Sequence, residues 1–309
     1  MGSVPDEFNF ELGAGMEAAL VLSLWLIMFA VALGLTPRSF AFFRDRPRIF
    51  LAGAFSQLIA LPAVTVALCH LLSVSPSVGF GMILAACCPG GASSNLFTLF
   101  ARGNTALSVA LTATSSLAAA FVTPLSTLAW SQLYAPTADL LQRIDVDAVA
   151  FLFQTFLILA LPVIVGMVVR HLAEDWAERW QTRVGAAGGL LLAAIVVINF
   201  VRFVEPFLAL GATILLVVLA HNSLAFLTGY GLARLVRADE ASRRCITIET
   251  GIQNTGLALV IIVGQFNGLG GAVAVIGLWG TWHLIGGGAL VMWWRRKDAR
   301  HSDQGRVAG

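Results

Sequence analysis

Apolar residues run along this chain in long uninterrupted stretches, without the alternation of a half-buried strand or the narrow stripe of a soluble helix. Crossing a hydrocarbon layer takes about 20 apolar residues as a helix. Nine stretches of about that length stand out, near 18–35, 49–72, 79–101, 104–130, 147–170, 184–204, 206–233, 245–264 and 270–294. Very short turns separate several of them. The pattern predicts an all-α polytopic membrane protein: a compact bundle of about nine transmembrane helices with no soluble domain. A short tail (1–17) would precede the transmembrane unit (18–294) and a basic tail (295–309) would follow it.

Composition agrees. Of 309 residues, 58% are hydrophobic and 12% charged, against about 25% charged in an average soluble domain. Disorder, nucleic-acid binding and a disulfide-stapled secreted scaffold are excluded on those numbers. Cys69, Cys87, Cys88 and Cys245 all lie inside apolar runs, with no CxxC spacing, and read as small hydrophobes. The first 17 residues carry Asp6, Glu7, Glu11 and Glu17 and no cationic stretch, so the first apolar run is expected to stay as a span.

The placement of the bases sets an expected direction. With the N-terminus outside, all but Arg143 and Arg202 of the 19 Lys and Arg fall on the inner side. An excess of bases marks the cytoplasmic side. The chain is therefore expected in the cell membrane, N-terminus out and C-terminus in.

Candidate chemistry follows from what is misplaced in lipid. Glu249 is the one acidic residue deep within an apolar run. A carboxylate there costs about 2.5–3.5 kcal/mol on insertion scales. No Lys or Arg stands at comparable depth, so Glu249 is either a neutral carboxyl hydrogen-bonded inside the bundle or the partner of a cation from outside. Its neighbours Thr250-Gly251-Ile252-Gln253-Asn254-Thr255-Gly256 put two glycines and polar side chains mid-span. The third run has a matching defect, Cys88-Pro89-Gly90-Gly91-Ala92-Ser93-Ser94-Asn95. Pro-Gly-Gly cannot continue a regular helix, and irregular backbone at membrane depth is tolerated only where it lines a cavity. The two interrupted runs are the third and the eighth and point in opposite senses, as inverted repeats require. Paired broken helices of that kind mark a binding site near the midplane. New half-helix N-termini favour an anion, whereas exposed carbonyls and Glu249 favour a cation.

Other polar residues stand beside these. Ser108 and Thr112 share a helical face at i, i+4 and are placed to add oxygen ligands, unless they bond back to their own helix carbonyls. Gln57, Pro62, His70, Asn199, His221, Asn222 and His283 are the remaining polar or kink-forming residues expected inside the bundle, chiefly in interhelical hydrogen bonds.

The stretches PGGASSN (89–95), ARGNTALSVALTATSSLAAAFVTPL (101–125) and TIETGIQNTGLALVI (247–261), with SQLIALP (56–62) and LAHNS (219–223), closely resemble the bile acid:sodium symporter family, over about residues 20–294. The resemblance implies a core domain (spans near 49–130 and 206–294) in which two discontinuous helices cross, and a panel domain (spans near 18–35 and 147–204). It is to nine-helix members, which lack the first helix of ten-helix bacterial relatives. It also implies two sodium ions. The first would use Ser94, Asn95, Ser108, Thr112 and Glu249. The second would use Gln57, Glu249, the carbonyls of Thr250 and Ile252, and Gln253. Ala92, Asn254 and His283 would line the substrate cavity. The implied function is sodium-coupled symport of an organic anion, a bile-acid-like or other carboxylate or sulfonate, by alternating access. A proton-coupled or uncoupled exporter of the same fold is the alternative. An enzyme is not expected, because the one midplane acid has no second acid, metal cluster or nucleophile–base pair beside it. No protein partner is implied.

Overall fold

A computed structural model describes residues 13–36, 41–145, 147–202 and 211–307. Most of the expected N-terminal tail, Arg38 and the start of the seventh run at 206 lie outside them. Among the described residues every regular element is a helix. In chain order they are α1 (Ala14–Leu33), α2 (Ala41–Asp45), α3 (Pro47–Phe55), a π-helical turn (Ser56–Ala60), α4 (Leu61–Leu72), α5 (Pro76–Cys87), α6 (Ala92–Phe100) and α7 (Thr105–Ser131). There follow α8 (Ala135–Arg143), α9 (Ala148–Leu172), α10 (Glu174–Arg202), α11 (Gly211–Leu235), α12 (Glu240–Gly251), α13 (Thr255–Gln265) and α14 (Gly270–Val307). Among the described residues six stretches are long and apolar enough to cross a membrane: Gly15–Leu33, Pro47–Leu72, Thr105–Ser131, Ala148–Leu172, Ala212–Leu235 and Gly270–Arg300. The chain is a polytopic all-α membrane protein.

The third and eighth apolar runs are not single helices. Each is a pair of half-helices, α5 with α6 and α12 with α13. The sixth run is the second half of α10, whose first half is polar. Two short elements, α2 and the amphipathic α8, had no expectation. Tyr134, just ahead of α8, donates to the Val74 carbonyl at 2.5 Å and fastens the α7–α8 corner to the α4–α5 turn.

Local chemistry accounts for the interruptions. Pro62 has no N–H to offer the carbonyl four residues back, and its ring crowds that carbonyl. The helix relieves this one turn earlier as the π-helical turn Ser56–Ala60, which carries Gln57. Cys88, preceding Pro89, is driven to extended backbone (φ −73°, ψ 155°) and ends α5.

Close backbone approach at small residues sets the packing. A methyl group on Gly81 would stand 2.5 Å from the Ala272 backbone, so α5 and α14 pack with their backbones nearly touching. A methyl on Gly166 would meet the Ala32 side chain at 2.6 Å, and one on Gly188 the Ser23 carbonyl at 2.9 Å, which seats α9 and α10 against α1. The buried α5 and the side chains of Phe80 and Trp279 form the centre of the main core.

Candidate functional site

The two chain breaks meet. Gly90 and Gln253 pair as an isolated antiparallel bridge. Asn254 N–H donates to the Pro89 carbonyl at 2.9 Å, and Gly91 N–H donates to the Ile252 carbonyl at 3.1 Å. Each break thus satisfies the other's exposed backbone, as two buried non-helical segments require. Half-helices α6 and α13 both start at this junction. Gly91 precedes α6 in extended backbone, and Asn254 caps α13, its side-chain oxygen accepting from Leu257 N–H at 3.0 Å. Asn222 of α11 supports the same point, donating to the Gly251 carbonyl at 2.8 Å.

Glu249 stands on the last full turn of α12 before its break and is wholly buried. Oε1 accepts from Ser94 and Ser108, each at 2.5 Å. Thr112 lies 3.2 Å from Oε1 and 3.0 Å from Oε2, and Gln57 Nε2 donates to Oε2 at 3.2 Å. Four elements thus converge on one carboxyl group: α12, α6, α7 and the π-helical turn. Ser108 and Thr112 turn toward Glu249 instead of bonding back to their own helix, as Ser115 and Thr127 do on the same α7. Asn95 joins them, its Oδ1 2.9 Å from Ser108 Oγ and its Nδ2 3.4 Å from Thr112 Oγ1.

The proton count in this cluster points to a ligand. A hydroxyl carries one proton, yet Ser94 Oγ reaches both Glu249 and the Gly91 carbonyl, at 2.7 Å. Ser108 Oγ reaches Glu249, Asn95 Oδ1 and Thr98 Oγ1. Acceptors outnumber donors, and among the described residues every hydrogen-bond partner of the carboxylate except the Gln57 amide nitrogen is an oxygen. A small hard cation suits such a set.

The second group is less closed. Gln57 Oε1 and Gln253 Oε1 are both buried without a hydrogen-bond partner among the described residues. Gln253 Nε2 donates to the Thr250 carbonyl at 2.9 Å and faces the Glu249 carbonyl at 3.4 Å. The Ile252 carbonyl keeps one lone pair beside the Gly91 bond. Two orphaned amide oxygens beside two partly used carbonyls are again acceptors in search of positive charge.

The residues expected in the substrate cavity divide. Asn254 is half-buried at the junction and its oxygen is committed to the cap. His283 is buried on α14, with Nδ1 unpartnered among the described residues. It stands between Gly280, where a methyl would lie 2.7 Å from Thr255 Oγ1, and Gly287, where one would meet Ile252 at 2.9 Å. Ala92 opens α6, but its side chain lies outside the described residues, as does that of Asn199. One expectation is corrected. His70 is exposed, because it falls in the last turn of α4, where Nε2 meets the Leu133 carbonyl at 2.9 Å. His221 is buried with Nε2 on Thr65 Oγ1 at 2.7 Å.

Some contributors went unnoticed in the sequence. Gly90 lies against the carboxylate, Thr98 backs Ser108, and Ser56 Oγ meets Thr250 Oγ1 at 2.6 Å. Pro-Gly-Gly marked the first of these as a break, but not as a contact.

Known proteins resemble this chain in sequence. The model of the sodium bile acid symporter family matches residues 21–210. The uncharacterized sodium-dependent transporter YocS of Bacillus subtilis is 30% identical over 292 residues, 94% of this chain and 87% of that protein. The probable sodium/metabolite cotransporter BASS2, chloroplastic, of Oryza sativa subsp. japonica is 29% identical over 309 residues, 98% of this chain and 70% of that one. The human ileal sodium/bile acid cotransporter is 28% identical over 272 residues, 85% of this chain and 74% of that protein. With a family match over more than half its length and a relative similar across both breaks, this chain belongs to the sodium bile acid symporter family.

Proposed function

We propose that this protein is a secondary active transporter that couples sodium to the movement of an organic anion by alternating access. The observation that carries this is the proton-poor oxygen cluster around Glu249, set where two broken helices meet. Two sodium ions are assigned. One lies among Ser94, Asn95, Ser108, Thr112 and Glu249, and the other among Gln57, Glu249, Gln253 and the carbonyls of Thr250 and Ile252. The orphaned oxygens of Gln57 and Gln253 support the second. The relatives named for sodium-dependent transport, sodium/metabolite cotransport and sodium/bile acid cotransport support the coupling.

The anion is assigned to the junction itself, near Ala92, Asn254 and His283, where the positive ends of α6 and α13 meet. The mutual packing of α1, α9 and α10 supports their role as the panel, against which the rest moves as the core. Leu192 of α10 lies beside Gly256, next to the junction, so panel and core face each other at the proposed anion site. An open groove between α1, α9 and α13, lined in part by Glu17, Gln154 and Gln265, lies along that boundary. The distribution of bases supports an N-out, C-in placement in the cell membrane.

Two sodium ions and one carboxylate sum to +1, so a monovalent anion completes a neutral load where unpaired charge is expensive. Net entry of one charge per cycle then adds about 2.3 kcal/mol per 100 mV to accumulation. The test is uptake of organic acids into proteoliposomes, with choline replacing sodium and with valinomycin and potassium setting the voltage. Uptake is expected to need sodium, to rise with a Hill coefficient above one and to increase at inside-negative potential. Glu249→Gln is expected to abolish the sodium dependence. Sodium-driven uptake that persists in Glu249→Gln would overturn the assignment, and a proton-driven signal in its place would favour the exporter alternative.

A further inference from the structure

The ends of α6 and α12 farthest from the junction are joined chiefly through one buried guanidinium. Arg244, on the second turn of α12, is buried with 5% of its surface exposed. Its Nη1 donates to the Ala101 carbonyl at 2.8 Å and to Asp298 Oδ2 at 2.9 Å. Nη2 donates to Asp298 Oδ1 at 2.6 Å, and Nε to Glu240 at 3.2 Å. The guanidinium also lies 5.6 Å from the centre of the Trp294 ring. The planar fork of arginine is what makes so many fixed bonds possible at once, and a lysine ammonium cannot reproduce it. Ala101 follows the last residue of α6, so the positive charge sits on carbonyls that the helix leaves unpaired. Asn104 reinforces the joint, its N–H on the Ala241 carbonyl at 2.9 Å and its Nδ2 on Ser242 at 3.2 Å.

Each half-helix is thereby fixed at both ends. Ser94 and Glu249 sit between the two fixings, about 10 Å and about 8 Å along their helices from Ala101 and Arg244 at 1.5 Å per residue. A tilt of either helix about the junction would change the Ser94–Glu249 separation, and the Arg244–Asp298 clasp opposes that tilt. We propose that Arg244, held by Asp298 of α14, is a positioning residue that sets the register of α6 against α12 and hence the spacing of the cation ligands. This rests on the sodium-coupled reading of Glu249.

The experiment uses the purified full-length chain with Arg244→Lys and Asp298→Asn. Sodium chloride is titrated against choline chloride at constant ionic strength, with thermal stabilisation as readout. Hydrogen exchange at the amides of Gly91 and Asn254 is followed in parallel. Each variant is expected to raise half-saturating sodium by about tenfold, the scale on which residues supporting metal ligands act, and to speed exchange at both amides. A role in folding alone would lower the melting temperature without moving either quantity. Half-saturating sodium within about twofold of the parent overturns the proposal. Should Arg244→Lys fail to fold, Asp298→Asn decides by itself. If the parent protein shows no sodium response, the coupling reading falls, and unchanged exchange at Gly91 and Asn254 in the variants then overturns the clasp separately.

Discussion

Gly90 covers the Glu249 carboxyl group so closely that a methyl at its Cβ position would stand 2.8 Å from Oε2, with Gln57 Nε2 3.6 Å away and Thr112 Oγ1 3.8 Å away. The absence of a side chain at residue 90 is therefore part of the shape of the site. It also allows the bridge to Gln253 to form directly over the acid.

Gly90→Ala is expected to push either the carboxyl group or the bridge aside. Overpacking of this kind costs about 1–3 kcal/mol of stability. The loss should fall mainly on cation binding, read as half-saturating sodium raised by about tenfold or more. Thermal stabilisation by sodium measures it, and a variant that binds sodium like the parent would show that the site has room to spare.

Ser108→Ala and Thr112→Ala each remove one oxygen from the cluster and leave the α6 and α13 starts untouched. Hydrogen bonds to charged groups contribute about 1.5–3 kcal/mol, so each change should weaken sodium affinity by about tenfold or more. The larger effect is expected at Ser108, whose bonds to Glu249 and to Asn95, at 2.5 Å and 2.9 Å, are both shorter than those of Thr112. Uptake kinetics over a sodium series at saturating anion, and over an anion series at saturating sodium, check this. Equal losses in both series would put these hydroxyls with the anion.

Asp239 caps α12, accepting from Ser242 N–H at 3.0 Å, from Ser242 Oγ at 3.0 Å and from Arg46 at 3.0 Å. Partial burial pushes its carboxyl up, but the Ser242 bonds and the Arg46 charge together outweigh it and hold it below the ordinary carboxylate value. A group depressed in the folded state contributes fully above its unfolded pKa and loses that contribution as pH falls through the folded one. Asp239→Ala is expected to cost about 1 kcal/mol as a lost cap. The difference in melting temperature from the parent should narrow as pH falls below the ordinary carboxylate range. A gap independent of pH would mean that the charge on Asp239 contributes nothing.

The sequence made the spans and the two breaks legible because lipid enforces both. Apolar runs have to be long, and Pro89-Gly90-Gly91 cannot stay helical. Glu249 stood out for the same reason, as a lone acid at depth. What stayed hidden depends on pairing across the chain. Nothing local says that Gly90 faces Gln253, that Gly90 lies on the carboxylate, or that Ser108 turns away from its own helix. The π-helical turn follows from Pro62 only once Gln57 is seen to need aiming. Asp298 falls within the basic tail by sequence, yet α14 runs on to Val307 and returns that acid to Arg244. The corner helix α8 was missed because nine residues are too short for an apolar run to register.

The bridge between the breaks also has a consequence for biosynthesis. A membrane chain is delivered to the bilayer in order, and Pro89, Gly90 and Gly91 arrive long before Gln253 and Asn254 exist. During that interval the Pro89 carbonyl and the Gly91 amide have no eventual partner to bond, in a medium that supplies no water. The nascent first half must therefore wait shielded, by the insertion machinery or by staying near the aqueous surface, until the second break emerges. The second break is thus what completes the backbone bonding of the first.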